Sequence, residues 1–220
     1  MTDTNTEPPD DQPARPDRRR MFAVGIAVGG AALAGGAIGG GVAAASTGGG
    51  GFRRESLVLE VCCLGDTWRD ANVNYAEDAG DYRGLPFAVE GYLYPEGTIP
   101  PGDGFVPTTD GAIGRWFCRG SVLTYSARPE PHVHSTQQYA FGAVDRENLF
   151  PPIITSSGLE GTFETDQVAI RSIVGGTHEW MGASGQVSQI HSGFNTTVFT
   201  DGTGPAPNLR FEFDLLLPNL

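Results

Sequence analysis

The chain contains no lysine: all fourteen of its basic residues are arginine. Schiff-base chemistry through a lysine amine is therefore excluded; in other respects the absence reads as a coding preference. Cysteine is scarce, with three residues in 220, and histidine is limited to four. No long helical period runs through the chain, and no internal repeat is visible. The nucleophile elbow Gly-x-Ser-x-Gly, a phosphate-binding Walker loop, and a dinucleotide fingerprint opening a helix are all missing. Basic charge is in deficit, leaving a formal net charge of −12. A protein that neutralises phosphates needs a basic face, so nucleic acid is not an expected partner.

The chain is rich in glycine (32) and proline (16) scattered along its length, which suits short strands and turns. Residues 1–17 are polar, rich in Pro and Asp, and expected to be disordered. Arg18-Arg19-Arg20-Met21-Phe22 then leads into an Ala/Gly/Val run that ends at Ala43-Ala44-Ala45. A basic start, an apolar middle and a small-residue end make an export signal. Arg19-Arg20-x-Phe22 resembles the twin-arginine signal, although Arg18 stands where Ser or Thr is usual and Ala23 follows Phe22. The alternative, an uncleaved membrane anchor, has the length to span but too many glycines for a stable helix. The expected partition is a signal segment over 1–45, a Gly-rich spacer over 46–55 and one domain over 56–220. Its destination would be outside the cytoplasm, reached through the export machinery.

Within that domain, period-two patterning predicts strands at Leu57–Leu64, Phe87–Tyr94, Phe105–Thr109, Arg115–Ser126, Ser135–Gly142, Val168–Val174, Gly185–His191 and Thr196–Thr200. The clearest is a further strand at the C-terminal end, where Leu209, Phe211, Phe213, Leu215 and Leu217 alternate with Arg210, Glu212 and Asp214. On the first strand, Leu57, Leu59, Val61 and Cys63 share one face, and Val58, Glu60 and Cys62 share the other. Vicinal cysteines face opposite ways and do not pair with each other. A bridge from one of them to Cys118 and a set of facing thiols both stay open, with Cys63 read as a small buried hydrophobe. His132 and His134 share a face but lack a third ligand, so no metal site is expected. Asp66, Asp70, Asp78 and Asp81 read as a solvated acidic loop. About eight strands make an all-β domain, and pattern alone does not separate a sandwich from a barrel.

Val174-Gly175-Gly176-Thr177-His178-Glu179-Trp180-Met181-Gly182-Ala183-Ser184-Gly185-Gln186-Val187 is similar to a signature of the allene oxide cyclase and dirigent superfamily. Plant cyclases carry Gly-Gly-Ala-Gly-x-Phe-x-Gly-Ala-x-Gly-Gln-Val there, so His178 stands at a glycine position. Pro101–Asp110 resembles the family's Gly-Asp-x-x-Pro-x-x-Asn segment with one extra residue, and Gly114-Arg115-Trp116-Phe117-Cys118 resembles its strand entry. The resemblance implies a single closed antiparallel β-barrel of about eight strands around an apolar cavity, often assembled as a trimer, with no cofactor. Glu60 falls on the family's cavity Glu and Cys118 on its cavity Cys, while Cys62 and Asp110 replace its two Asn. The cyclases use those Asn to hold a water against the substrate oxygen, so a different hydrogen-bond set is implied here.

Glu60, Asp110 and Cys118 are accordingly the expected catalytic contacts, and Cys62, Tyr92 and Tyr125 the expected substrate contacts. A desolvated Glu60 would suit proton transfer or the stabilisation of a developing cation. The expected function is an exported barrel that binds a small apolar or oxygenated molecule and steers its cyclisation, isomerisation or coupling. Its alternatives are a non-catalytic carrier of a lipid-like ligand and a structural barrel with a filled interior.

Overall fold

The computed structural model describes residues 51–70, 83–123, 132–144, 150–160, 167–202 and 204–219. Eight strands form one closed sheet in chain order: β1 (Phe52–Asp70), β2 (Pro86–Pro95), β3 (Gly114–Val122), β4 (Val133–Phe141), β5 (Ile153–Glu160), β6 (Val168–Gly176), β7 (Ser184–Val198) and β8 (Pro205–Pro218). Every neighbour pair is antiparallel. β1 closes the ring on β8 through an eleven-residue register from Phe52↔Pro218 to Cys62↔Asn208. Closure removes the sheet's edges and hence its exposed row of unpaired backbone groups.

Alternation determines what fills the barrel. Leu59, Val61 and Cys63 of β1 point inward with Leu93, Trp116, Tyr139, Ile154, Ile173 and Val187, and the inward row of β8 from Leu209 to Leu217 completes this core. The Tyr139 ring lies edge-on to Phe211 and Phe213, at centroid separations of 5.0 and 4.8 Å, a geometry that the ring quadrupoles favour.

The glycine signature forms the β6–β7 connection. A single 3₁₀ turn, His178–Trp180, brings Trp180 against Phe141 beside the core. Gly176 is required there, because a Cβ on it would lie 2.5 Å from the Trp180 Cβ. His178 takes φ 57°, the left-handed conformation that disfavours a side chain. The family's glycine at this position thus has a backbone reason, and this chain carries the strain.

Three expectations are corrected. β1 begins at Phe52, so residues 52–55 belong to the barrel wall and not to a spacer. Phe105–Thr109 is no strand: only Phe105 makes a single bridge, to Asn195, within a segment laid over the outside of the barrel. Thr196–Val198 continues β7. β5 was not expected at all. Residues 1–50, with the twin-arginine motif, lie outside the described residues.

Candidate functional site

The expected site residues do not converge. Glu60, Cys62 and Tyr92 lie on the outer face of the wall, because Val61, Cys63 and Leu93 take the inner one. Residues 96–113 are strapped across this outer face. Glu60 holds the strap: its Oε1 accepts the Gly97 N–H at 2.9 Å and its Oε2 the Ile99 N–H at 2.6 Å. Arg210 stands 3.8 Å from the same carboxylate. Cys62, Tyr94 and Ile99 make a second small core beneath the strap, with Tyr92 and Phe105 against it. Asp110 is exposed at the strap's turn, where its N–H donates to Thr108 Oγ1. Tyr125 lies outside the described residues. Of the expected set that is described, Cys118 alone faces the barrel interior.

Cys62 outside the wall and Cys118 inside it cannot be bridged, and all three cysteines are free thiols. Burial pushes the Cys62 thiol up to about 12. Burial, aided by nearby Glu160, likewise holds Cys118 far above its ordinary value. A thiol kept protonated in this way is a poor nucleophile, so Cys118 serves the interior as a neutral, weakly polar wall group.

Inside the barrel, a different set of residues comes together. Arg171 points inward from β6 and is fully buried. Its Nη1 donates to Glu160 Oε1 at 2.7 Å, Nε to Ser156 Oγ at 3.2 Å, and Nη2 to both the carbonyl oxygen and Oγ of Ser135 at 2.8 Å. Glu160 also accepts from Gln137 Nε2 at 3.0 Å, Gln189 Nε2 at 3.1 Å and the Ser135 hydroxyl. The second Gln137 N–H goes to Gln189 Oε1 at 2.8 Å, and the Tyr139 hydroxyl donates to Gln137 Oε1 at 2.7 Å. Cys118 Sγ stands 3.9 Å from Glu160 Oε1.

Backbone geometry makes the pair possible. β5 and β6 pair over Ile154–Ser157, and Gly158 follows directly. A Cβ on Gly158 would sit 3.1 to 3.3 Å from the Arg171 Cα, Cβ and Cγ. With no side chain there, the arginine crosses β5 and reaches Ser135 on β4. An ion pair removed from water stabilises little by itself, since desolvation offsets the Coulomb attraction. Here nearly every donor and acceptor of the pair finds a partner, which is the condition under which such a cluster persists.

Sequence reasoning missed this cluster, although Arg171 left a trace. It interrupts the β-branched run Val168–Val174 in phase with Ile173, a charge on the apolar face of a strand. Glu160 left none, because it ends the strand that was not expected.

The architecture is that of the dirigent-like barrels: eight antiparallel strands closed in order. A pterocarpan synthase dirigent protein, GePTS1, superposes with a TM-score of 0.51 at 12% identity over 76% of this chain and 86% of its own. A second, PsPTS1, gives 0.49 at 13% identity over 75% and 95% of the two chains. Pyocyanin demethylase gives 0.42 at 13% over 71% and 99%. No family model matches the chain, and no curated protein matches it.

Proposed function

We propose that this chain is an exported small-molecule-binding barrel that orients an apolar, oxygenated ligand for cyclisation, isomerisation or coupling. One observation carries the reading: a guanidinium, two amides, three hydroxyls and a carboxylate meet inside a barrel whose interior is mainly apolar and aromatic. Small-molecule sites have this composition, apolar walls with a few placed polar groups that orient the ligand. The likeness of the barrel to the dirigent proteins supports the same reading by analogy of fold.

The chemistry available is narrow. Thiols held protonated do not attack as thiolates, and there is no lysine amine. Glu160 is already committed to Arg171, Ser135, Gln137 and Gln189. Steering would then come from confinement: the walls select one conformer, and the fixed dipoles meet charge that develops along the reaction. Trp68, Phe87 and Phe199, packed at 5.2 Å centroid separations, supply an aromatic wall near the end of the barrel where β5 finishes.

Native mass spectrometry of the mature domain from the exported fraction, with extraction of co-purified molecules, tests this function. Release of an apolar oxygenated metabolite is the expected result. No ligand, together with no thermal shift across a panel of such compounds, overturns the reading in favour of a filled structural barrel. Changing Arg19 and Arg20 to lysine should retain the precursor in the cytoplasm; unaltered export would remove the twin-arginine route.

A further inference from the structure

The interior cluster has a directional arrangement. Four N–H and O–H donors converge on one carboxylate, beside the weaker thiol donor Cys118: Arg171 Nη1, Gln137 Nε2 and the Ser135 hydroxyl on Oε1, and Gln189 Nε2 on Oε2. They come from β4, β6 and β7, and each lies within its strand. Glu160 comes from β5, where it is the last residue, at the end of the barrel.

The donors do not depend on Glu160 for their placement. Arg171 keeps its bonds to Ser156 and to the carbonyl and hydroxyl of Ser135. Gln137 is held by Tyr139 and by Gln189. If the Glu160 side chain rotated away, a guanidinium, two amide N–H groups and a hydroxyl would stay aimed at the vacated oxygens. That donor set matches a planar anion with two oxygens, since charge-assisted bonds from a fixed guanidinium favour a carboxylate. A neutral oxygen would leave the guanidinium uncompensated at a buried position, which is costly.

Resting on the small-molecule reading above, we propose that these donors form a carboxylate receptor which Glu160 fills from within, and that the barrel's ligands are small apolar carboxylic acids. The ligand carboxylate takes the place of Glu160 on Arg171, and the Glu160 side chain turns out to the barrel end. The exchange leaves one carboxylate on one guanidinium, so no charge is buried unpaired. The apolar remainder of the ligand meets the wall of Trp68, Phe87 and Phe199.

The probes are benzoate and octanoate against their methyl esters, measured by calorimetry on the full chain. Each acid should bind at least about tenfold tighter than its ester. In the double variant Arg171→Leu with Glu160→Leu, which removes receptor and occupant together, acid and ester should bind alike. In Glu160→Ala, the deleted group is the size of acetate. Acetate near tenfold its dissociation constant should then raise the melting temperature by about 3–6 °C, with acetamide ineffective.

Equal binding of acid and ester by the natural chain overturns the carboxylate proposal but leaves the small-molecule reading standing. Failure of both acids and both esters to bind also overturns it, and the absence of any co-purified ligand would then remove the broader reading too. A Glu160→Ala protein too unstable to purify does not affect the comparison of acid with ester in the natural chain.

Discussion

Two glutamates on opposite sides of the ring, on β1 and β5, are buried to nearly equal depth, Glu60 at 7% exposure and Glu160 at 8%, yet they do opposite things. Glu60 faces out from β1, and its hydrogen-bond donors are backbone amides of the strap, Gly97 and Ile99. Glu160 faces in, and its donors are side chains from three strands. A carboxylate that binds main chain shapes a loop, and its partners persist through almost any substitution. A carboxylate bound by side chains belongs to a constellation that substitution can retune one residue at a time, which is what the proposed binding site requires. Burial alone does not separate these two carboxylates; the identity of their donors does.

The contrast is open to direct attack. Arg171→Leu leaves the Glu160 charge buried without its cation and should cost about 3–5 kcal/mol, read as a lower midpoint in urea denaturation. Adding Glu160→Leu should recover most of that loss; if it does not, the ion pair contributes more than mutual compensation. Glu60→Ala orphans the Gly97 and Ile99 amides and should cost about 2 kcal/mol. Its signature is local: faster hydrogen exchange at those two amides, with interior amides unchanged. Spread of the effect into the barrel would break the contrast between the two sides of the wall.

Gly158→Ala is a finer probe. The new Cβ presses on Arg171 at 3.1 to 3.3 Å, so a loss of about 1 kcal/mol is expected from overpacking. The same change should weaken ligand binding while leaving the strap untouched.

The smallest effect concerns the thiols. The Cys62 thiol is pushed up to about 12 from 9.0 by burial, and burial also raises Cys63 and Cys118. A raised folded value means that the stabilisation is full below the unfolded value of 9.0 and is lost as pH climbs toward the folded one. Stability should therefore fall from about pH 9 upward, and Cys62→Ala should flatten part of that slope. A native thiol titrating near its ordinary value would place Cys62 in water and remove the second core beneath the strap.

Much of the wall was legible in the chain. The two faces of β1, Leu59, Val61 and Cys63 on one and Glu60 and Cys62 on the other, and the alternation of β8 follow from period two, but the expected cavity contacts Glu60 and Cys62 lie on the face that turns outward. β5 was illegible. Its inward row is Ile154, Ser156, Gly158 and Glu160, mostly polar or small, because it lines the polar centre. The strand that carries the carboxylate is thus the one whose apolar signal is weakest. The glycine signature pointed to a tight β6–β7 connection, and the left-handed φ at His178 shows why glycine fits that position.

By itself, the sequence determined an all-β chain, the positions of most strands and the two faces of each. Those are local properties, set by the alternation of side chains along an extended backbone. Only the tertiary structure decided which face is interior and which distant residues meet. Once residues 96–113 cover the outside of β1, both of its faces are buried, and Glu60 and Cys62 read as interior from a pattern that cannot tell a barrel core from the layer beneath a strap. The meeting of Ser135, Gln137, Glu160, Arg171 and Gln189 depends on the stagger of four strands in a closed ring, a geometric condition on the whole sheet that no local spacing encodes.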